Sequence, residues 1–168
     1  MSRIHEGAKA TGEGTTRELL PSWLPWAVFV LSLAGIAAAA YLFYAHLTDP
    51  AVLACPENAT INCAKVTTSA QSRFLGIPVS FLGLSFFIVY AVVNYPRFFA
   101  SRILSILRLV MAIGSMIFVL WLVCAELLIV NAICLWCSAV HIITLVSFLL
   151  VIYATVQSRV LTRTGNSD

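Results

Sequence analysis

Four long apolar runs alternate with polar segments along the chain. The runs occupy residues 23–47, 78–95, 103–129 and 133–157. An α-helix rises about 1.5 Å per residue, so roughly 20 apolar residues cross a hydrocarbon core of about 30 Å. The pattern therefore predicts an all-α integral membrane protein, built as a bundle of four transmembrane helices.

The polar segments predict how the rest of the chain is divided. Residues 48–76 are the longest polar stretch between two apolar runs and are predicted to form a loop outside the membrane. Residues 1–20 are predicted to be a disordered cytoplasmic tail, because the apolar run that follows is too long for a signal peptide. Residues 158–168 are predicted to be a second cytoplasmic tail, which leaves 21–157 as one membrane domain.

Composition and charge support this assignment. Apolar residues make up 61% of the 168 residues and charged residues 10%, whereas soluble domains contain roughly 25% charged residues. Of the ten Lys and Arg residues, only Lys65 and Arg73 lie in the 48–76 loop, and the others lie in the two tails or around the 95–102 connection. By the positive-inside rule, both termini are predicted to be cytoplasmic and the loop extracytoplasmic.

Four of the five cysteines form two closely spaced pairs. Cys55 and Cys63 lie in the predicted outer loop, and Cys134 and Cys137 form a Cys-x-x-Cys motif where the last apolar run begins. A pair with this spacing can close a small disulfide ring, and the start of a helix favours the thiolate form of its first cysteine. The predicted orientation places both pairs at the outer face of the membrane.

Two cysteine pairs at one membrane face predict a thiol–disulfide relay. The loop is long enough to swing Cys63 to Cys134, and exchange proceeds by attack of a thiolate on a disulfide. Because Cys137 lies one helical turn deeper, the electron acceptor is predicted to be lipophilic, and a quinone meets that requirement. Two alternatives remain open for a non-enzymatic membrane protein: static structural disulfides, or a zinc ion held by four thiolates.

The order of several motifs resembles that of the vitamin K epoxide reductase family, and most of all its bacterial members. The motifs are Cys-x7-Cys (55–63) followed by AKVTTS (64–69), GIPVSFLG (76–83), and Glu-Leu (126–127) ahead of AICLWC (132–137). The similarity covers about residues 20–157. In disulfide-bond protein B, another bacterial quinone-linked thiol oxidase, the Cys-x-x-Cys pair instead precedes the loop pair.

The resemblance implies a quinone-dependent thiol–disulfide oxidoreductase that supports disulfide bond formation. The expected electron donor is a separate, secreted thioredoxin-fold (DsbA-like) protein, because no fused thioredoxin-like domain follows the last run. The expected acceptor is menaquinone or ubiquinone, without a metal, and the expected location is the plasma (inner) membrane of a bacterium. The alternative within the family is a vitamin K epoxide reductase of the endoplasmic reticulum.

The resemblance also implies roles for individual residues. It pairs Cys55 with Cys63 and Cys134 with Cys137 as disulfides. Cys55 would exchange with the partner protein, Cys63 with Cys134, and Cys137 would pass electrons to the quinone. Ser69 matches a family serine or threonine that tunes the relay.

Two positions depart from the vertebrate members, which hold the quinone with an Asn on the second span and a Tyr on the last. Ser80 and His141 occupy the corresponding stretches here, which argues against epoxide chemistry and vertebrate-type inhibitor binding. His141 shares a helix face with Cys134 and Cys137. We expect it either to hydrogen-bond a quinone or to be a packed histidine.

The sequence also predicts roles for three further residues. Glu126 can take part in proton traffic or be a water-facing turn residue, and we favour the second. Trp136 is predicted to shield the cysteine pair or line a quinone pocket, and also to act as an interfacial anchor. Cys124 is predicted to be a small buried apolar side chain in the third span.

Overall fold

The computed structural model describes residues 21–99 and 101–164, and this part of the chain is mostly helical. Its four long helices are α1 (Trp23–Leu47), α3 (Val79–Val93), α4 (Arg102–Cys124) and α5 (Leu135–Thr164). The polar segment between α1 and α3 contains the short helix α2 (Cys63–Thr68) and the strands β1 (Arg73–Phe74) and β2 (Ile77–Pro78). The predicted tail at 1–20 lies outside the described residues.

Within the described part of the chain, three helical segments are long and apolar enough to cross a membrane: Trp23–Leu47, Ile103–Val130 and Leu135–Ser158. The chain is therefore a membrane protein with transmembrane helices. The remaining apolar helix, α3, has 15 residues and is about 22 Å long, shorter than a hydrocarbon core of roughly 30 Å. The predicted number of four spans consequently stays a prediction.

The four long helices pack in a ring. Helix α1 contacts α3 and α5, and α4 contacts the same two helices. Each helix contributes one residue to a buried cluster: Val28, Tyr90, Ala112 and Val151. Because apolar side chains from four separate helices are buried in one cluster, segments that are far apart in sequence are held together.

Helices α1 and α3 approach closely at Gly35. The ring of Phe87, which is 2% exposed, lies where a Cβ atom at position 35 would be. Only a glycine permits this contact. Gly114 of α4 behaves differently, because no heavy atom lies within 4 Å of a Cβ built there. Gly114 therefore does not mark a close helix contact, and it instead lines a cavity.

A buried arginine ties α4 to the end of α3. The Arg108 side chain is 3% exposed, and its guanidinium lies 3.9 Å from the centroid of the Phe99 ring. It donates hydrogen bonds to the carbonyls of Val93 and Phe99, both at 3.4 Å. A cation at the carboxyl end of a helix is favoured by the helix dipole. Arg108, one of the arginines around the 95–102 connection, therefore has structural contacts as well.

A tight hairpin precedes α3. Strands β1 and β2 are joined by Leu75 and Gly76, which have φ values of 52° and 83°. Positive φ at both central residues is typical of the two-residue turns that connect antiparallel strands. The turn directs Phe74 onto α4, where its ring centroid lies 5.6 Å from that of Phe118.

Several predicted boundaries differ from the structure. Helix α5 continues to Thr164, beyond the predicted end at residue 157. A π-helix over Ala125–Val130 continues α4 past Glu126, for which a turn is predicted, and the chain turns at Asn131, whose φ is 50°. Cys124 is exposed rather than buried, so that prediction is wrong. It ends the α-helical part of α4 on the outer surface of the ring.

Candidate active site

The outer loop is fixed to the start of α5 by main-chain hydrogen bonds. Ile61 pairs with Ile133 in a parallel bridge. The Ile133 N–H donates to the Thr60 carbonyl at 2.9 Å, and the Asn62 N–H donates to the Ile133 carbonyl at 3.1 Å. These bonds involve residues adjacent in sequence to Cys63 and Cys134, so they hold the two cysteine pairs together.

Two aromatic side chains fasten the first part of the loop. The Trp136 indole N–H donates to the Ala54 carbonyl at 3.1 Å. The Tyr41 hydroxyl donates to the Val52 carbonyl at 2.7 Å and accepts from the Ala54 N–H at 3.0 Å. The two rings meet edge to face, with centroids 4.7 Å apart. Trp136 packs against the buried cluster that contains Cys63 and Cys134, and its predicted role as a shield of the cysteine pair stays a prediction.

Cys55 and Cys63 form a disulfide in the structure. Cys63 is the first residue of α2, which the Asn62 side chain caps by accepting from the Lys65 N–H at 2.8 Å. Cys63 is 1% exposed and packs in one cluster with Cys134, whereas Cys55 is half-buried. The loop thus already places Cys63 and Cys134 in one buried cluster, and a large swing of the loop is not needed to bring the two close together.

Cys134 and Cys137, for which a disulfide is predicted, are thiols in the structure. The structure thus contains the reduced form of this pair, and the disulfide stays a prediction for the oxidised form. Cys134 is completely buried just before α5. The Cys137 N–H donates to the Cys134 sulfur at 3.4 Å.

These contacts determine the acidity of Cys134. A hydrogen bond from the Cys137 thiol lowers the pKa of Cys134, and the backbone N–H groups of Cys137 and Trp136 lower it further, while burial opposes them. The amino end of α5 adds a favourable dipole. Cys134 is accordingly the member of the pair that carries a thiolate most readily.

Cys137 faces a cavity of about 500 Å³ with a mostly apolar lining. The cavity is bounded by α1, α2, α3, α4 and α5, and its volume lies within the range of small-molecule sites. Six of the polar residues that line it are His46, Ser69, Ser80, Glu126, Cys137 and His141. The predicted auxiliary residues Ser69, Ser80, Glu126 and His141 are therefore brought together there, but Trp136 does not line the cavity.

Some hydroxyl groups of the lining donate hydrogen bonds to main-chain carbonyls of the preceding helical turn. Ser69 donates to the Val66 carbonyl at 2.7 Å, and Thr144 of α5 donates to the Val140 carbonyl at 2.9 Å. These bonds satisfy polar groups that would otherwise be costly in an apolar site. Within the described residues, the ionisable residues of the lining are Cys137, Glu126, His46 and His141.

Glu126 is buried, with 7% of its surface exposed. The π-helix turns Ala125, Glu126 and Val130 inward and leaves the side chains at 127–129 exposed. The Glu126 carboxyl group is hydrogen-bonded to the Cys137 thiol and to the Cys134 backbone N–H. The favoured prediction of a water-facing turn residue is therefore wrong, because the change of helical period rotates this side chain toward the cysteines.

Sequence reasoning missed two residues that shape the site. Tyr41 lies in an uninterrupted apolar helix, and no local pattern marks it as a contact of the loop. Asn62 does carry a signal, because an Asn directly before a short helix is a preferred amino-terminal cap. Its position just before Cys63 could have predicted that this cysteine begins a helix.

The described residues, 21–99 and 101–164, contain no group of three or more His, Cys, Asp or Glu arranged to hold a metal ion. In addition, two of the four thiols that a zinc site would require are joined in the Cys55–Cys63 disulfide. The arrangement of sulfur atoms is that of two separate pairs.

A membrane protein with a loop disulfide packed against a Cys-x-x-Cys pair belongs to the class of thiol–disulfide oxidoreductases. The model of the vitamin K epoxide reductase family matches residues 26–152, most of the chain, and the protein is a member of that family. Members are oxidoreductases that use a quinone and work with thioredoxin-like proteins. No curated protein sequence matches the chain significantly.

Proposed function

We propose that the protein oxidises a secreted thioredoxin-fold (DsbA-like) dithiol and passes the electrons to a membrane quinone, which supports disulfide bond formation. One observation carries the proposal: the Cys55–Cys63 disulfide packs against Cys134, while Cys137 faces an apolar cavity. The two pairs thus connect the loop surface to an apolar compartment.

The relay begins at the more accessible sulfur. A partner thiolate attacks Cys55, the half-buried member of the loop disulfide, and Cys63 leaves as a thiolate. The second partner thiol releases Cys55 and gives the partner its disulfide. Partner dithiol and loop disulfide thereby exchange two electrons through a mixed disulfide.

The electrons then pass to the membrane pair. The Cys63 thiolate attacks Cys134 of an oxidised Cys134–Cys137 disulfide, and Cys137 leaves as a thiolate, which then takes up a proton from solvent. Cys55 attacks Cys63, which restores the loop disulfide and frees Cys134. The structure, with an oxidised loop pair and two free thiols at 134 and 137, corresponds to the state after this exchange.

The cavity residues suit a quinone, which when bound accepts two electrons and two protons. A quinone ring is flat and apolar, with an acceptor oxygen at each of two opposite carbonyls. The mostly apolar lining suits the ring, while His141 on α5 and Ser80 on α3 can hold the two carbonyl oxygens. The Cys134 thiolate then closes the disulfide onto Cys137 as the electrons leave the pair.

The proposed location is the plasma (inner) membrane of a bacterium, with four spans, both termini cytoplasmic and menaquinone or ubiquinone as the acceptor. The bias of Lys and Arg toward the tails and the 95–102 connection supports that orientation. It puts the cysteine pairs on the oxidising side, where a secreted dithiol protein can reach Cys55.

The test is quinone reduction by the purified protein, followed by absorbance, with a reduced thioredoxin-fold protein as donor. We expect Cys137→Ala to abolish turnover. Cys55→Ala should lose activity with the protein donor but keep part of it with a small dithiol. Cys124→Ala is the matched control, because Cys124 is exposed and lies outside both pairs. Failure of the wild-type protein to reduce any quinone with any thiol donor would refute the proposal.

A further inference from the structure

The carboxyl group of Glu126 occupies the boundary between the cysteine pair and the cavity. It is hydrogen-bonded to the Cys137 thiol and to the Cys134 N–H, and the residue also lines the cavity. An acidic side chain with only 7% exposure is uncommon in a membrane protein unless it has a partner or a role. Here both of its contacts belong to the redox-active motif.

The π-helix is what permits this position. A single wider turn over Ala125–Val130 directs residues 125, 126 and 130 inward, and the Glu126 carbonyl accepts from the Ala132 N–H at 3.2 Å across the turn. Wider turns of this kind interrupt α-helices frequently at functional sites. The backbone therefore fixes the carboxyl group instead of leaving it on a flexible loop.

The other ionisable residues that line the cavity in the described part of the chain are His46 on α1 and His141 on α5. The Cys137 thiol has two hydrogen-bond partners, the Cys134 sulfur and the Glu126 carboxyl group, and of these two only Glu126 lines the cavity. Neither histidine is a partner of this thiol. Proton transfer requires direct hydrogen-bond contact or one bridging water. Glu126 thus has the contact that removal of the Cys137 proton requires.

We propose that Glu126 accepts the proton of the Cys137 thiol as the Cys134–Cys137 disulfide forms, and then gives it up on the cavity side. This inference rests on the proposed function. Starting from the Cys134 thiolate, disulfide formation removes two electrons and the Cys137 proton from the pair: the electrons reduce the quinone to a quinol, and the S–S bond replaces the Cys137 S–H bond. Glu126 carries one proton to the quinone oxygens. Cys134 has already lost its proton to solvent, so the quinone takes up its second proton from solvent.

The experiment separates the two half-reactions of the full-length protein in lipid nanodiscs. In the first measurement, prereduced protein is mixed with a short-chain naphthoquinone, and a single turnover of quinol formation is followed by stopped-flow absorbance. In the second, oxidised protein is mixed with excess dithiothreitol, quenched with an alkylating reagent, and its thiols are counted by mass. Wild type, Glu126→Gln, Glu126→Asp and the control Leu128→Ala are compared; Leu128 lies on the same π-helix and is 76% exposed.

General acid–base catalysis contributes roughly 100- to 10,000-fold. We expect Glu126→Gln to slow quinol formation at least about 100-fold, at the low end of that range, and to change reduction by dithiothreitol less than about threefold. Glu126→Asp should recover much of the rate because it restores a carboxylate, and Leu128→Ala should match wild type. A residue that only positions Cys137 would slow both half-reactions alike in Glu126→Gln, and that result would overturn the inference.

An unchanged rate of quinol formation in Glu126→Gln would overturn it as well. Absence of quinol formation in wild type would instead refute the proposed function, so the two failures are distinguishable. A decreased solvent deuterium isotope effect on quinol formation in Glu126→Gln provides a further readout that a purely structural role does not change.

Discussion

Tyr41→Phe tests how firmly the outer loop is attached to the helices. The substitution removes one hydroxyl group that donates to the Val52 carbonyl and accepts from the Ala54 N–H, and it keeps the ring that contacts Trp136. A typical hydrogen bond contributes about 0.5–1.5 kcal/mol net. Water reaches this part of the loop and can replace part of both bonds. We therefore expect the free energy of opening the loop to decrease by about 1–2 kcal/mol.

A loss of that size increases the open population of the loop by roughly 5- to 30-fold. Hydrogen–deuterium exchange measured by mass spectrometry should show this increase in peptides that cover residues 50–62. Tyr44→Phe is the matched control, because Tyr44 lies one turn along the same helix and its side chain is 57% exposed. Equal exchange in Tyr41→Phe and wild type would show that other contacts alone hold the loop, and the estimate would be wrong.

The remaining predictions concern acidity and packing. The lowered pKa of Cys134 stabilises the folded reduced protein above its folded-state pKa, an effect fully present above the ordinary value of 9.0 and lost as the pH falls through the lowered one. The melting temperature of reduced wild type relative to Cys134→Ser should therefore rise with pH across that window. Cys137→Ala, which removes the side-chain donor to Cys134, should move the window toward higher pH when the thiolate is followed by its absorbance. Gly35→Ala should lower the free energy of unfolding by about 1–3 kcal/mol through overpacking. Gly114→Ala should change thermal stability little, because a Cβ at this position faces open space. Arg108→Met should lower stability by about 1–3 kcal/mol because two carbonyls lose their donor, and equal melting temperatures for Arg108→Met and wild type would contradict that role.

The helices were predicted well where hydrophobicity alone determines them. Residues 23–47 coincide with α1, because an uninterrupted apolar run is bounded on both sides by polar residues. The ends of α3 and α5 were predicted less well. Helical backbone continues past the apolar part of α5 to Thr164, and hydropathy cannot detect a helix that extends beyond the run.

The spacing of the cysteines predicts the two pairs of the site, but not their geometry. The relay inferred from these pairs and their order along the chain stays a prediction. The inward position of Glu126 depends on a wider helical turn, and the regular helical period gives no indication of it. The contact of Tyr41 with the loop arises only when α1 packs beside α5, so a property of the tertiary structure was invisible in the sequence.

The bridge between Ile61 and Ile133 uses only main-chain atoms. The separation of the two sulfur pairs is therefore insensitive to which side chains occupy positions 60, 61 and 133, but it is sensitive to the number of residues between them and the cysteines. An inserted or deleted residue between Ile61 and Cys63 would misalign the pairs even if every side chain were kept. The backbone acts as a spacer that fixes the separation of the two cysteine pairs, while the side chains around it are free to vary.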